Sequence, residues 1–100
     1  MLSISNTVKG DVNEVKLVGR LDVQGAKVAE SAFAEAAEVA PNVVLDMEEL
    51  DYIASAGLRV IKRLRGTVRK NGGTLTLRGV QGNVMDVFEL TGFAAMLTFE

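Results

Sequence analysis

The stretch Leu50-Asp51-Tyr52-Ile53-Ala54-Ser55-Ala56-Gly57-Leu58-Arg59-Val60-Ile61 decides how the rest of the chain is interpreted. Its first residues are polar and predict a turn, and small residues then surround a single serine. The apolar residues that follow recur at helical spacing, at Leu58, Ile61, Leu64 and Val68. The pattern predicts a helix from about Ser55 to Lys70, so Ser55 lies where that helix begins.

A serine at a helix start has two possible uses. Its side-chain oxygen can cap the helix by accepting a hydrogen bond from a first-turn amide. The same position suits a phosphate, because free N–H groups and the positive end of the helix dipole both stabilise negative charge. Most serines at helix starts only cap, and Ala54, Ala56 and Gly57 are then small residues that allow close packing. The local sequence leaves both uses of Ser55 open.

The composition describes one globular domain spanning residues 1–100. A chain of 100 residues is too short for a second core, and 48% hydrophobic with 24% charged residues is typical of a folded protein. The net charge of −2 provides no electrostatic basis for binding nucleic acid. Without cysteine, a basic leader or a long apolar run, we expect a cytoplasmic protein that does not associate with membranes.

The residue types also limit the possible chemistry. The chain has no histidine and no cysteine, and therefore no imidazole base, no thiolate nucleophile and no usual zinc site. A hydrolase that uses Ser55 is disfavoured, because the sequence contains no recognisable base partner. We expect a protein that is not an enzyme and that has no catalytic residues, cofactor or metal site.

The first half of the chain predicts a hairpin, a helix and a central strand. Strands are expected at Leu2–Ser5 and Val15–Leu21, joined at a turn to form an antiparallel hairpin at a sheet edge. An alanine-rich pattern predicts a helix from about Ala26 to Ala40. The apolar run Val43–Asp46 predicts a strand covered on both faces, in a parallel β-α-β unit at the centre of the sheet.

Acidic residues follow this central strand. Asp46 and Asp51 are predicted to flank the turn that leads to Ser55, at the carboxyl end of a strand where ligands of open α/β sheets gather. A receiver domain phosphorylated on aspartate is a competing interpretation. It is rejected because no acidic pair follows an early strand and the first two strands form a hairpin.

The remaining segments complete an α/β fold. A strand is predicted at Thr74–Arg78, a short helix at about Asn83–Thr91 and a last short strand at Leu97–Phe99. The whole is a mixed sheet of about five strands, with about three helices packed mainly on one of its faces.

The helix that starts at Ser55 is strongly basic and contains Arg59, Lys62, Arg63, Arg65, Arg69 and Lys70. Such a run is most often a solvated face. A sharper interpretation is that Arg59, one turn from Ser55, positions a partner or a phosphate. Nucleic-acid binding is disfavoured, because the run contains no aromatic residue on which a base could stack.

Several short motifs together resemble the STAS domain, and specifically the bacterial anti-sigma factor antagonists. They are Gly19-Arg20-Leu21-Asp22, Val43-Val44-Leu45-Asp46, Ser55-Ala56-Gly57-Leu58 and Leu90-Thr91-Gly92-Phe93. They cover nearly the whole chain in order. The resemblance implies a STAS fold in which Ser55 is the serine that a partner kinase phosphorylates. Asp22 would lie nearby and help to meet the kinase, and the local sequence equally allows Asp22 to be only the cap of the helix that follows or a simple loop residue. Ala54 stands where the family often has Asp or Ser.

The resemblance also implies a partner-switching function. The unphosphorylated protein would bind an anti-sigma factor that is a serine kinase of the histidine-kinase ATPase fold, and so release a sigma factor or another client. Phosphorylation of Ser55 would end binding, and a metal-dependent serine phosphatase would restore it. The expected partner-binding residues are Asp22, Asp46, Asp51, Ala54, Ala56, Gly57, Leu58 and Arg59.

A second hypothesis is a constitutive STAS module. Such a module would serve as a scaffold or as a regulator of a transporter or signalling complex, without serine phosphorylation. Ala54 gives this hypothesis some support.

Overall fold

Five strands form one mixed sheet, in the order in which they occur in the chain. In the computed structural model, which describes residues 1–100, β1 and β2 are antiparallel and every later neighbouring pair is parallel. The strands are β1 (Leu2–Lys9), β2 (Val12–Leu21), β3 (Asn42–Ile53), β4 (Leu75–Arg78) and β5 (Thr98–Phe99). The predicted mixed sheet with an antiparallel hairpin at its edge is confirmed.

Three α-helices connect these strands. They are α1 (Val23–Val39), α2 (Ser55–Lys70) and α3 (Gly82–Leu90), and a single 3₁₀ turn follows at Phe93–Met96. The bounds of α2 are those that the sequence predicted. α1 begins earlier than predicted because the Asp22 carboxylate caps it, accepting a hydrogen bond from the Gly25 amide at 2.7 Å. None of these helices combines the length and the apolar character needed to cross a bilayer.

The central strand β3 is much longer than the sequence predicted. It pairs with β2 from Asn42 to Ile53, with register irregularities beside Val18 and between Gly19 and Arg20. These irregularities break the two-residue alternation of a regular strand, so that Met47 and Leu50 are both buried while the two residues between them are exposed. The predicted turn between Asp46 and Asp51 is therefore wrong, because both residues lie within β3.

The hydrophobic core lies on one face of the sheet, between the strands and all three helices. Phe33 of α1, Ile61 of α2 and Phe88 of α3 belong to a single buried cluster. Along β3, Val43 and Leu45 face this core, whereas the intervening Val44 is only half-buried. The prediction that helices pack mainly on one face is confirmed, and the prediction that the central strand is covered on both faces is wrong.

The opposite face of the sheet is open and carries ion pairs. Arg78 lies 3.6 Å from Glu14 and 3.7 Å from Asp46. Lys16 lies 2.6 Å from Glu49, and this hydrogen bond together with the negative charge of Glu49 raises the pKa of Lys16. Asp46, expected from the sequence to contact a partner beside Ser55, instead belongs to this charged open face.

Candidate functional site

The start of α2 has an unusual composition, because the N-cap position is taken by an alanine. Ser55 is the first residue of the helix, and Ala54 before it is the N-cap, in an extended conformation and without any side-chain cap. The prediction that Ser55 itself caps the helix is therefore wrong. The Ala54 carbonyl accepts from the amides of Gly57 at 2.9 Å and Leu58 at 3.1 Å. The amides of Ser55 and Ala56 are left without an acceptor.

The side chain of Ser55 is free. The residue is exposed, and its hydroxyl makes no hydrogen bond within the protein. A nucleophilic oxygen that must accept a phosphoryl group has to be reachable by the donor, and this one is. A phosphate attached there would lie beside two unpaired amides at the positive end of a helix of 16 residues.

The end of β2 holds the start of α2 in place. The Ala54 amide donates to the Leu21 carbonyl at 2.9 Å, which ties the residue before Ser55 to the last residue of β2. Gly57 lies so close to β2 that a Cβ atom there would be 2.7 Å from Leu21 Cγ and 2.9 Å from the Leu21 carbonyl oxygen. Gly57 and Leu58 are both buried, so these two predicted site residues act in packing.

Asp22 follows directly on Leu21 and is half-buried. Its carboxylate caps α1 through the amide of Gly25, so the capping interpretation of Asp22 is confirmed. Because Leu21 is hydrogen-bonded to Ala54, the neighbouring residue Asp22 also lies beside the Ser55 segment. The two interpretations of Asp22 are compatible, since one carboxylate can cap a helix and contribute negative charge to a surface.

Asp51 lies near the end of β3, four residues before Ser55. It is exposed, and its carbonyl accepts a hydrogen bond from the side-chain amide of Asn83 at 2.7 Å, which fixes the start of α3 to this edge. By contrast, Asp46 lies about seven residues before the end of β3, on the order of 20 Å away along an extended strand. The structure thus brings Asp22 and Asp51 toward Ser55 and leaves Asp46 out.

Two residues of this edge were missed by the sequence analysis. The guanidinium of Arg20 stacks on the ring of Tyr52, 4.2 Å from its centre, and the tyrosine remains 39% exposed. Arg20 and Tyr52 are register partners on β2 and β3. Both lie within the motifs that the sequence analysis quoted, but their pairing depends on the irregular register that no short motif reveals.

A groove between α1 and α2 begins beside Ser55. This cleft of about 230 Å³ is lined by Ala56 and Arg59 of α2 and by Val23 and Lys27 of α1. Arg63 closes its far end by pairing with Glu30 of α1 at 2.6 Å. The basic residues Arg59 and Lys27 thus line the groove between the helices, while the acidic residues Asp22 and Asp51 lie at the ends of β2 and β3. No group of three or more metal-ligating side chains occurs in the structure.

Comparison with known proteins assigns the fold. The model of the STAS domain matches residues 3–100, which is almost the entire chain. The chain belongs to the STAS domain family. The resemblance noted in the sequence is thus confirmed, and it extends through both the hairpin and the last strand.

Two relatives of this STAS chain have names that describe a function. The anti-sigma-B factor antagonist of Bacillus subtilis is 27% identical over 93 residues, covering 91% of this chain and 85% of that protein. BtrV of Bordetella bronchiseptica, provisionally named an anti-sigma factor antagonist, is 44% identical over 54 residues. That alignment spans 54% of this chain and about half, 47%, of BtrV.

Solved structures show the same fold. An anti-sigma factor antagonist from Mycobacterium paratuberculosis superposes with a TM-score of 0.87 at 20% identity, over 99% of this chain and 85% of that chain. The Bacillus cell fate determinant SpoIIAA, solved in its phosphorylated form, superposes with a TM-score of 0.74 at 15% identity. That match covers 100% of this chain and 91% of SpoIIAA. At these identities the likeness establishes the STAS fold.

Proposed function

We propose that this STAS protein is an anti-sigma factor antagonist whose binding to its anti-sigma factor is ended by phosphorylation of Ser55. The observation that carries the proposal is the exposed, unpartnered Ser55 hydroxyl beside two free amides at the start of α2. The names of the two relatives support the anti-sigma factor as the partner. The proposal further places the protein in the cytoplasm, where ATP-dependent serine phosphorylation takes place.

The proposed cycle needs no catalysis by this chain. The unphosphorylated protein binds an anti-sigma factor that is also a serine kinase of the histidine-kinase ATPase fold, and the bound client is released. The kinase then transfers the γ-phosphoryl group of ATP, with Mg²⁺, to the Ser55 oxygen: the bond from the γ-phosphorus to the bridging oxygen breaks, ADP leaves and the hydroxyl proton is lost. A metal-dependent serine phosphatase hydrolyses the ester and restores binding. The chain contributes only the accepting hydroxyl and the surface around it.

The proposed binding surface surrounds Ser55 and is defined by exposed or half-buried residues. It consists of Asp22, Asp51, Ala54, Ala56 and Arg59. Gly57 and Leu58 are buried beneath this surface and support it by packing, since Gly57 allows α2 to approach Leu21 closely. Asp46 is not included, because it lies on the open face of the sheet with Arg78.

The switch acts through local electrostatics. A phosphoserine adds roughly 1.5 to 2 negative charges at neutral pH. Within the protein this charge is stabilised by the first-turn amides and the dipole of α2. Together with Asp22 and Asp51, the phosphate would make this surface strongly negative. Like charges brought together at an interface cost several kcal/mol, which corresponds to orders of magnitude in affinity.

The proposal is tested by affinity capture from a lysate of the source cells, with ATP and Mg²⁺ present. The baits are the wild type, Ser55→Ala, Ser55→Asp and the control Ser31→Asp, which adds the same charge to an exposed serine of α1. We expect Ser55→Ala and Ser31→Asp to retain an ATPase-fold protein that Ser55→Asp loses. The wild-type bait should gain one phosphate, at Ser55, by mass analysis.

Three results would contradict the proposal. If all four baits retain the same partner and Ser55 carries no phosphate, Ser55 has no regulatory role. Capture of a transporter component by every bait would favour the constitutive module instead. Loss of the ATPase-fold protein by Ser31→Asp as well as by Ser55→Asp would mean that added charge alone, and not its position, disrupts binding.

A further inference from the structure

The outer edge of β1 is a long strand edge without a partner. β1 is the first strand in the sheet order and pairs only with β2, in a register without irregularity. A two-residue turn joins the two strands, so Lys9 and Val12 form a hydrogen-bonded pair, and hydrogen bonding to β2 alternates along the strand from there. The amides and carbonyls of Ile4, Asn6 and Val8 therefore point outward, away from the sheet.

This edge lacks the features that usually protect a strand edge. Charged side chains, proline, a bulge or a very short strand all discourage pairing with another chain. At the opposite edge of the sheet, β5 is only 2 residues long. β1 has 8 residues, no proline and no bulge. Its single charged residue, Lys9, is the last of the strand and pairs with Glu14 of β2 at 3.6 Å. β1 is therefore open to pairing with another strand.

An exposed apolar surface lies beside this edge. Val8 of β1 is 49% exposed, and Val28 and Val39 of α1 are 55% and 58% exposed. Glu30 marks the flank of α1 that faces α2, because its carboxylate pairs with that helix. Val28, Ala32 and Val39 are rotated about the helix axis by roughly 160–180° from Glu30. These three residues therefore form an apolar flank of α1 that is turned away from α2.

The apolar flank of α1 runs along β1. A Cβ atom at Gly25 would be 3.4 Å from Leu2 Cβ, so the first turn of α1 lies beside the start of β1. Near the other end of the helix, the Ala36 carbonyl accepts a hydrogen bond from Nδ2 of Asn13 at 3.2 Å. Asn13 lies opposite the last part of β1 in the hairpin register. The helix therefore runs in the same direction as β1 and keeps its apolar flank beside the open edge.

We propose that a second copy of this chain pairs with β1, edge to edge and antiparallel, about a two-fold axis at Asn6. This register sets Ile4 opposite Val8 of the second copy, and the reverse, on the face of the sheet that carries the helices. Lys9 falls opposite Ser3, so no like charges meet. Moving the axis by one residue in either direction would set Asn6 opposite one of the two apolar residues.

The two α1 helices would complete this joint. α1 packs on both β1 and β2, and neighbouring strands are about 4.8 Å apart, so the helices of the two copies would lie roughly 10 Å apart, the spacing of packed helices. The axis brings Val28 toward Val39 of the second copy, with Ala32 between them. The valines that are exposed in one copy are thus covered in the pair. Identical surfaces that meet about a two-fold axis form a closed assembly, so pairing stops at two copies.

The pair is tested by sedimentation equilibrium of the purified, full chain over a range of concentrations. The test variant is Val28→Lys with Val39→Lys. The matched control is Val23→Lys with Leu90→Lys, which adds the same charge at exposed apolar positions away from the β1 edge. Circular dichroism confirms that each variant is folded.

We expect the average mass of the wild type to rise from 10.7 kDa toward twice that value as the concentration increases. The dissociation constant of the pair should rise at least roughly tenfold in the test variant, because apolar contacts are lost and like charges are brought together. In the control it should stay within about twofold of the wild type, since a smaller change corresponds to well below 1 kcal/mol.

A cysteine at the axis tests the register independently, because the chain contains no other cysteine. Asn6→Cys would set two cysteines opposite each other with their Cα atoms about 5.5 Å apart, a separation that a disulfide can bridge. Ser5→Cys is the matched control, since Ser5 lies opposite Thr7 of the second copy and not opposite itself. We expect Asn6→Cys to oxidise to a covalent pair, detected by intact mass, and Ser5→Cys to stay uncoupled.

Three results would overturn this inference. A wild-type mass that stays at 10.7 kDa at every concentration would exclude the pair. Equal dissociation constants of the two double variants would exclude the β1 edge as the joint. Coupling of Ser5→Cys without coupling of Asn6→Cys would exclude the register. These measurements use no kinase and no partner protein, and Ser55 lies on α2, on the other side of α1, so the pair and the proposed function can fail separately.

Discussion

At the scale of single residues, the start of α2 is shaped by side chains that are small or missing. Ala54 has no side-chain oxygen with which to cap the helix, and the amides of Ser55 and Ala56 therefore stay unpaired. Gly57 has no Cβ, which allows α2 to approach the Leu21 backbone. Because no side chain caps α2, its first amides stay available to an anion. Because Gly57 has no Cβ, the start of α2 packs closely against Leu21, next to Asp22.

Replacing Gly57 by alanine tests the close approach directly. The new methyl carbon would lie 2.7 Å from Leu21 Cγ, so we expect a loss of about 1–3 kcal/mol in the free energy of unfolding, measured by urea denaturation. Gly66→Ala is the matched control on the same helix, because a Cβ there meets nothing within 4 Å. This control should gain up to about 1 kcal/mol from helix propensity. Equal effects of the two variants would contradict the packing argument.

Substitutions of Asp22 separate its capping role from its charge. Asp22→Ala removes the acceptor of the Gly25 amide and should lower the free energy of unfolding by about 1 kcal/mol. Asp22→Asn keeps an acceptor oxygen and should leave thermal stability nearly unchanged. If Asp22→Asn nevertheless alters capture of the anti-sigma factor, the charge contributes to binding. Equal destabilisation by Ala and Asn would contradict the capping role.

At the scale of elements, α2 has two ends with opposite electrostatic character. Its first turn contains no acidic residue and two unpaired amides, and its last turn contains Arg69 and Lys70. The helix dipole makes a negative charge favourable at Ser55 and unfavourable at the other end, where the basic side chains of Arg69 and Lys70 offset part of the unfavourable interaction. The two ends of the same helix should therefore respond differently to an added charge.

The effect of a charge at each end of α2 is measurable as stability. Ser55→Asp should raise the free energy of unfolding by about 0.3–1 kcal/mol at low ionic strength, because the carboxylate meets the positive helix end. Asn71→Asp adds the same charge at the C-cap and should lower stability by a smaller amount, because Arg69 and Lys70 offset part of the unfavourable interaction with the dipole. Chemical denaturation followed by circular dichroism gives both values, and added salt should reduce both. A Ser55→Asp protein that unfolds would contradict the assignment of Ser55 to a helix start.

Local patterns predicted α2 and the hairpin well, but not the central strand. The helical spacing of Leu58, Ile61 and Leu64 is visible in the sequence itself, and so is the turn at Gly10. The length of β3 depends instead on irregular pairing with β2, which turns an apparent polar turn into a strand with two consecutive exposed acids. The Arg20–Tyr52 stack has the same origin and was missed for the same reason.

At the scale of the whole molecule, the fold separates two surfaces. The Ser55 surface lies at the carboxyl ends of β2 and β3, and the open sheet face carries ion pairs. The sequence motifs located the first surface through Ser55 and Asp22. They misplaced Asp46, because the face on which a strand residue lies depends on which side the helices cover, and a short apolar run does not reveal this.

The most direct test of the central claim is the affinity of the captured anti-sigma factor for this chain before and after phosphorylation of Ser55. The two forms would be separated by intact mass and titrated calorimetrically against the same partner without ATP. The account predicts at least a roughly hundredfold higher dissociation constant for the phosphorylated form, because several kcal/mol of like-charge repulsion are added. Dissociation constants that agree within about twofold, a difference well below 1 kcal/mol, would contradict it.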